Sequence, residues 1–172
     1  MGNLRLGERR DARKGGRLLV EQTWASPSAS QETAEMILVD TGPLVALFDP
    51  RDKQHNPCRG TLKEIREPIL TTTPVLTEAF HMLGPASLGS DPLREFVEDD
   101  GLFVWFLDRT WLTRAFELME LYADHPMDLA DASLIVAAEA LGTRKVFTID
   151  RNDFETYRVR RGHRHHPVEI VS

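Results

Sequence analysis

Apolar residues in this chain come in short runs that stop abruptly at polar ones. Met36-Ile37-Leu38-Val39 is a continuous apolar run closed by Asp40, the mark of a strand buried on both faces. Thr41-Gly42-Pro43 turns the chain and sets a proline near the first helical position, ahead of Leu44, Val45, Leu47 and Phe48. A helix near residues 54–66 is predicted from Leu62 and Ile65, a second strand over Pro68 to Thr71, and a helix from Val75 to Leu83 closed by Gly84. Ser90-Asp91-Pro92 starts another helix. Leu102 to Leu107 is the most apolar strand, Trp111 to Tyr122 a helix, Leu129 to Leu141 a helix ended by Gly142, Val146 to Ile149 a strand and Val168 to Val171 an edge strand. Strands alternating with helices predict an α/β fold, a three-layer α/β/α sandwich with a parallel sheet covered on both faces. Ligands of such sheets bind outside the carboxyl ends of the strands, where Asp40 and Asp150 each follow an apolar run.

Residues 1–35 break the pattern. Arg9, Arg10, Arg13, Lys14 and Arg17 are followed by Ser26-Pro27-Ser28-Ala29-Ser30, with few apolar residues beyond Leu18, Leu19, Val20 and Trp24. Such a segment buries little and reads as a flexible N-terminal extension, an upstream addition or a misassigned start, leaving 36–172 as the folded domain.

The 172 residues are 41% hydrophobic and 28% charged, enough for one sizeable core. No apolar run approaches the roughly 20 residues that span a bilayer, so a soluble, cytoplasmic protein with no membrane partner is expected. The single cysteine, Cys58, excludes an internal disulfide framework and a multi-thiolate zinc site. The net charge of −6 argues against a nucleic-acid partner when taken alone. Its distribution argues otherwise, because Arg151, Arg158, Arg160, Arg161 and Arg164 lie in one C-terminal stretch with His163, His165 and His166. On its own that stretch reads as a solvated charged loop.

Acids carry the candidate chemistry. Asp40 and Asp150 end strands, Glu78 sits mid-helix among apolar neighbours, and Asp128 and Asp131 flank a helix start. Clustered carboxylates repel unless a cation neutralises them, and oxygen ligands suit Mg²⁺, Mn²⁺ or Ca²⁺ rather than zinc. Each acid also has a structural explanation: Asp40, Asp128 and Asp150 could cap helices, and Asp131 could favour a helix dipole. Glu78 resists such a reading, since an unpaired buried carboxylate is costly. Trp105, Trp111 and Phe116 are assigned to the core, and Met119 and Met127 to packing.

The order Ile37-Leu38-Val39-Asp40-Thr41 with Pro43-Leu44, then Thr77-Glu78, Asp128-Leu129-Ala130-Asp131-Ala132-Ser133-Leu134 and Thr148-Ile149-Asp150 with Phe154 resembles the PIN-domain family, and within it the VapC-type toxins. The likeness covers essentially 36–172. It implies an Mg²⁺- or Mn²⁺-dependent endoribonuclease, with Asp40, Glu78, Asp131 and Asp150 as catalytic and metal-binding acids. Thr41 and Thr148 match supporting hydroxyl positions, and Asp128 and Asp153 are further acids nearby. An RNA substrate, a homodimer and a cognate antitoxin are implied as well, and Arg151, Arg158, Arg160, Arg161 and Arg164 are candidates for contacting RNA. Two other classes compete. A phosphatase of the expected pattern would carry an acid where Gly42 stands, and a receiver domain would carry an acid pair where Val39 precedes Asp40. A non-catalytic RNA- or protein-binding module would differ from the enzyme by lacking metal-dependent turnover.

Overall fold

The computed structural model describes residues 35–85, 87–125 and 127–172. The expected extension over 1–35 therefore lies, apart from Glu35, outside the described residues. The elements are β1 (Ile37–Val39), α1 (Thr41–Phe48), α2 (His55–Glu64), β2 (Ile69–Thr72), α3 (Thr73–Leu83), α4 (Ser90–Glu98), β3 (Phe103–Trp105), α5 (Arg109–Leu121), α6 (Leu129–Leu141), β4 (Lys145–Phe147), α7 (Arg151–Thr156), β5 (Arg158–Arg161), β6 (Arg164–Pro167) and β7 (Glu169–Val171).

Five strands form one sheet in the order β3-β2-β1-β4-β7, and every pairing in it is parallel. Every residue of β1 and β2 is buried. Successive side chains of a strand face opposite ways, so both faces of the sheet are covered, as the unbroken apolar runs predict. Helix α6 is the main buried helix, with all eight residues from Ala130 to Ala138 other than Asp131 inaccessible. Its small alanines let it lie close to the sheet. Thr72 at the end of β2 and Ser133 on α6 share a buried hydrogen bond, and Ser133 Oγ also donates to Ala130 O at 2.7 Å. The first turn of α6 is thereby fixed to the carboxyl end of the sheet. Gly142 ends α6 at φ +69°, a left-handed cap that a side chain would strain.

Two expectations need correcting. The stretch containing the arginines and histidines is no loop, because β5 and β6 pair antiparallel from Arg158↔Pro167 to Arg161↔Arg164. Phe116 is not core: it is 49% exposed, and Phe106, from the most apolar strand run, is 64% exposed. β3 is an edge strand of only three residues, so Phe106 falls beyond it and has no neighbouring layer to enter. Trp105, by contrast, is buried and packs edge-on to Trp111 at 6.1 Å between ring centroids.

Leu38 is fully inaccessible in the central strand, and Leu88 is 96% exposed. Leu38→Ala is expected to cost about 2–5 kcal/mol in denaturant unfolding, from lost transfer energy and the cavity left behind. Leu88→Ala should change stability by less than about 0.5 kcal/mol.

Candidate active site

The sheet order reverses at β1 and β4. The chain moves outward from β1 through β2 to β3, then returns to the other side of β1 to lay down β4. That reversal opens a crevice at the carboxyl ends of the two strands. Asp40 stands there, with its backbone N–H donating to Phe147 O at 3.0 Å, which joins it to β4.

Asp40 is only 7% exposed, and both of its carboxylate oxygens are used. Oδ1 accepts from the Thr41 backbone N–H at 2.6 Å, capping α1, and Oδ2 accepts from Thr148 Oγ1 at 2.8 Å. Thr148 Oγ1 in turn accepts from the Asp150 N–H at 2.9 Å. Thr41 Oγ1 donates to Glu78 Oε2 at 2.7 Å, which ties α3 to the end of β1. Two threonine hydroxyls thus link residues from three separate elements.

From α6, Asp128 caps its own helix by accepting from the Asp131 N–H at 2.9 Å. Asp131, one turn in, points the other way and accepts from the Tyr157 hydroxyl at 3.1 Å. Tyr157 is fully buried and packs edge-on against Tyr122, Phe154 and His125. Sequence reasoning missed it. Its only signal was an aromatic residue just past Phe154, in a stretch dominated by charge. His125 Nε2 lies 2.8 Å from Asp153 Oδ1 but without hydrogen-bond alignment, so their proximity is electrostatic at most.

Desolvation pushes the Asp40 carboxyl up to about 6; hydrogen bonds from Thr148 and Thr41 oppose this, while the charges of Glu78 and Asp128 add to it. Burial also pushes Asp131 up to about 7, with Asp128 and Asp40 adding repulsion and the Tyr157 hydrogen bond opposing it. Burial and the adjacent Asp131 raise the Tyr157 hydroxyl as well, keeping it a protonated donor. Asp40, Glu78, Asp128 and Asp131 therefore share one electrostatic environment, and Asp153 also acts on Asp131. Asp150 reaches the same edge, but its carboxylate caps α7 by accepting from the Asp153 N–H at 3.2 Å. The capping roles anticipated for Asp40, Asp128 and Asp150 are all present. For Asp40 and Asp131, capping and dipole leave the burial unexplained.

Among the described residues no three acids, histidines or cysteines stand close enough to hold one metal ion between them. The donor chemistry nevertheless fits a hard divalent cation. The groups are carboxylate oxygens, two of them hold protons unusually tightly, and Mg²⁺ needs only one or two carboxylates because it keeps several waters.

The arginines do not converge on these acids. Arg151 bonds Ser172 Oγ. Arg158 donates to the carbonyls of Glu155, Thr156 and Tyr157 at 2.7–2.9 Å, closing the end of α7. Arg160 lies 3.8 Å from Glu139, and Arg161 bonds Gly142 O at the far end of α6.

A family model described as "PIN domain" matches residues 37–159. Comparison with curated proteins gives no match. Among solved structures, the Mycobacterium tuberculosis toxin VapC20, described as cleaving the sarcin-ricin loop, superposes with a TM-score of 0.62 at 17% identity. The superposition covers 68% of this chain and 92% of that one, and at that identity it speaks to the fold.

The raised acids set a pH dependence for the metal-free protein. An Asp whose folded pKa is above its ordinary 3.8 favours the folded state when protonated, so its contribution is full below 3.8 and is lost as pH rises through about 6 for Asp40 and about 7 for Asp131. Tm measured in EDTA should fall between pH 5 and 8. Asp131→Asn keeps an acceptor for Tyr157 and should raise Tm at pH 8 by about 3 °C while flattening the fall. A Tm that climbs across this window would contradict the assignment.

Proposed function

The chain belongs to the PIN domain family, and on that premise we propose that it is a metal-dependent endoribonuclease, the toxin of a toxin–antitoxin pair, acting in the cytoplasm. The observation that carries this reading is the burial of Asp40 at the strand switch point, linked through Thr41 to Glu78 and electrostatically to Asp131. A protein gains nothing in stability from gathering like charges, so the arrangement needs a function. No helix among the described residues is long and apolar enough to cross a membrane.

Mg²⁺ or Mn²⁺ held directly by one or two of Asp40, Glu78, Asp131 and Asp150, and through its own waters by the others, would supply a Lewis acid for a phosphoryl oxygen and lower the pKa of water. Around it, Thr148 and the Thr41 N–H hold the Asp40 carboxylate in one orientation, and Thr41 Oγ1 does the same for Glu78. Asp131, held by Tyr157, would take the proton of a water that adds in line to phosphorus while the RNA ester oxygen leaves with a proton from solvent. The N-terminus of α1 opens directly after Asp40, and its dipole favours negative charge at this edge. Asp128 and Asp153 add negative potential around Asp131 and support cation binding without capping the site.

A homodimer fits the exposed apolar residues. Phe106 at 64%, Phe116 at 49% and Leu121 at 67% exposure are large side chains left in water. Phe106, Leu107 and Leu112 also line a groove of about 880 Å³ that includes Glu78 and Asp128 at its acidic end. Burying Phe106 and this groove against a second copy would remove apolar surface and flank the acids with protein. The antitoxin is the other expected protein partner.

Incubated with a mixed RNA pool, the wild-type chain is expected to cut with Mg²⁺ or Mn²⁺ and not with EDTA. Asp40→Asn, which keeps an acceptor for the Thr41 N–H and can donate its amide to Thr148 Oγ1 in place of accepting from it, should lower cutting by at least about 100-fold. A folded, antitoxin-free protein that cuts nothing under any condition would instead be a binding module. Phe106→Arg should shift the protein from dimer to monomer in light scattering, and an unchanged mass would move the dimer contact elsewhere.

A further inference from the structure

The β5–β6 ribbon is the basic feature that the acidic site leaves unexplained. From Arg158 to Val168 the sequence holds four arginines and three histidines and no acid. The pairing sets Arg161 directly opposite Arg164 and Arg160 opposite His165. Like charges facing one another across strands destabilise a ribbon, and the surrounding protein answers few of them. Glu139 lies 3.8 Å from Arg160 but is already held by Arg114, at 3.1 Å to each oxygen. The Arg161 side chain bonds a carbonyl, and the Arg164 side chain, beyond the backbone pairing of the ribbon, makes no hydrogen bond or ion pair with a described residue. Residues 160–165 are all exposed, and Gly162 makes the turn at φ +59°.

The position of the ribbon is as informative as its charge. Tyr157, which holds Asp131, leads straight into β5, and β5 then runs along α6 to Gly142. Asp131 and Gly142 are eleven residues apart on that helix, which at a helical rise is about 16 Å. The ribbon tip is therefore outside contact range of a phosphate at the acids. An acidic site repels RNA, so affinity must come from basic surface elsewhere, and the family match ends at residue 159, before the turn.

We propose that the β5–β6 ribbon is a second RNA contact that anchors backbone phosphates roughly 16 Å from the acidic cluster, so that the RNA bound must be long enough to reach from one to the other. This rests on the nuclease reading. An acidic protein segment is the competing occupant. RNA is favoured because the ribbon is covalently continuous with Tyr157 at the acids and runs along the same helix, so one polyanion could touch both.

The test is anisotropy of labelled RNAs of about 2 and about 30 nucleotides on the full chain carrying Asp40→Asn to prevent cutting, across a salt series. Arg161→Gln/Arg164→Gln is expected to weaken binding of the long RNA about 10-fold and to lower the salt slope by about 1–2, with little change for the short one. Arg164→Gln alone, which breaks no side-chain hydrogen bond or ion pair with a described residue, should give about 3-fold and keeps the test sound if the double variant misfolds. Arg51→Gln removes the same charge from an exposed pair with Asp49 and should have no effect. Unchanged affinity for the long RNA, an equal loss in Arg51→Gln, or lost binding of a glutamate-rich peptide with RNA binding intact would each overturn the proposal. Metal-dependent cutting by the wild-type chain decides the nuclease reading separately, whatever the ribbon does.

Discussion

Burying Asp40 in the mouth of an all-parallel sheet costs folding free energy, and much of the local structure offsets that cost. The carboxylate is desolvated between β1 and β4 and repelled by Glu78 and Asp128. It persists because Thr148 and the start of α1 each supply a donor to one of its oxygens. The β1–β4 pairing, the entry angle of α1 and the position of Thr148 are consequently tied to one side chain. Anything that neutralises this carboxylate, whether a proton or a cation, should relieve the same strain.

Helix α6 transmits the constraint to the rest of the domain. Its buried alanines bring it close to the sheet, and the Thr72–Ser133 hydrogen bond fixes its first turn. Asp131 is thus presented towards Asp40 rather than to solvent. Tyr157, caged by Tyr122, Phe154 and His125, supports the free face of that carboxylate. The site is held from below by the sheet and from the side by an aromatic cluster. Further along the same helix, Glu139 and Gly142 receive the arginines of the ribbon, so one buried helix carries acids at its start and basic neighbours at its end.

Two positions show what the fold adds to a charge read from the sequence. Arg158, a candidate RNA contact from the sequence, also closes the end of α7 through three carbonyls. Asp150 follows a strand just as Asp40 does, yet it is exposed and turned to cap α7, while Asp40 is enclosed. The difference lies in the chain after each residue. Asp40 leads into a helix whose buried face holds it against the sheet, whereas Asp150 leads into a short helix with a single buried residue, Phe154.

The sequence by itself determined the alternation of strands and helices, the parallel sheet, the glycine that ends α6 and the placing of Asp40 and Asp150 at strand ends. Those features follow from local rules, since burial on both faces demands unbroken apolar runs and a left-handed cap demands glycine. Tertiary structure decided which acids share an environment, that Tyr157 supports Asp131, that Phe106 and Phe116 stand in water, and that the basic stretch folds into a ribbon. The first two depend on contacts between residues far apart in the chain, such as Thr41 with Glu78 or Tyr157 with Asp131. Periodicity along a sequence reports the direction of a side chain relative to its own element and carries no information about what waits on the other side.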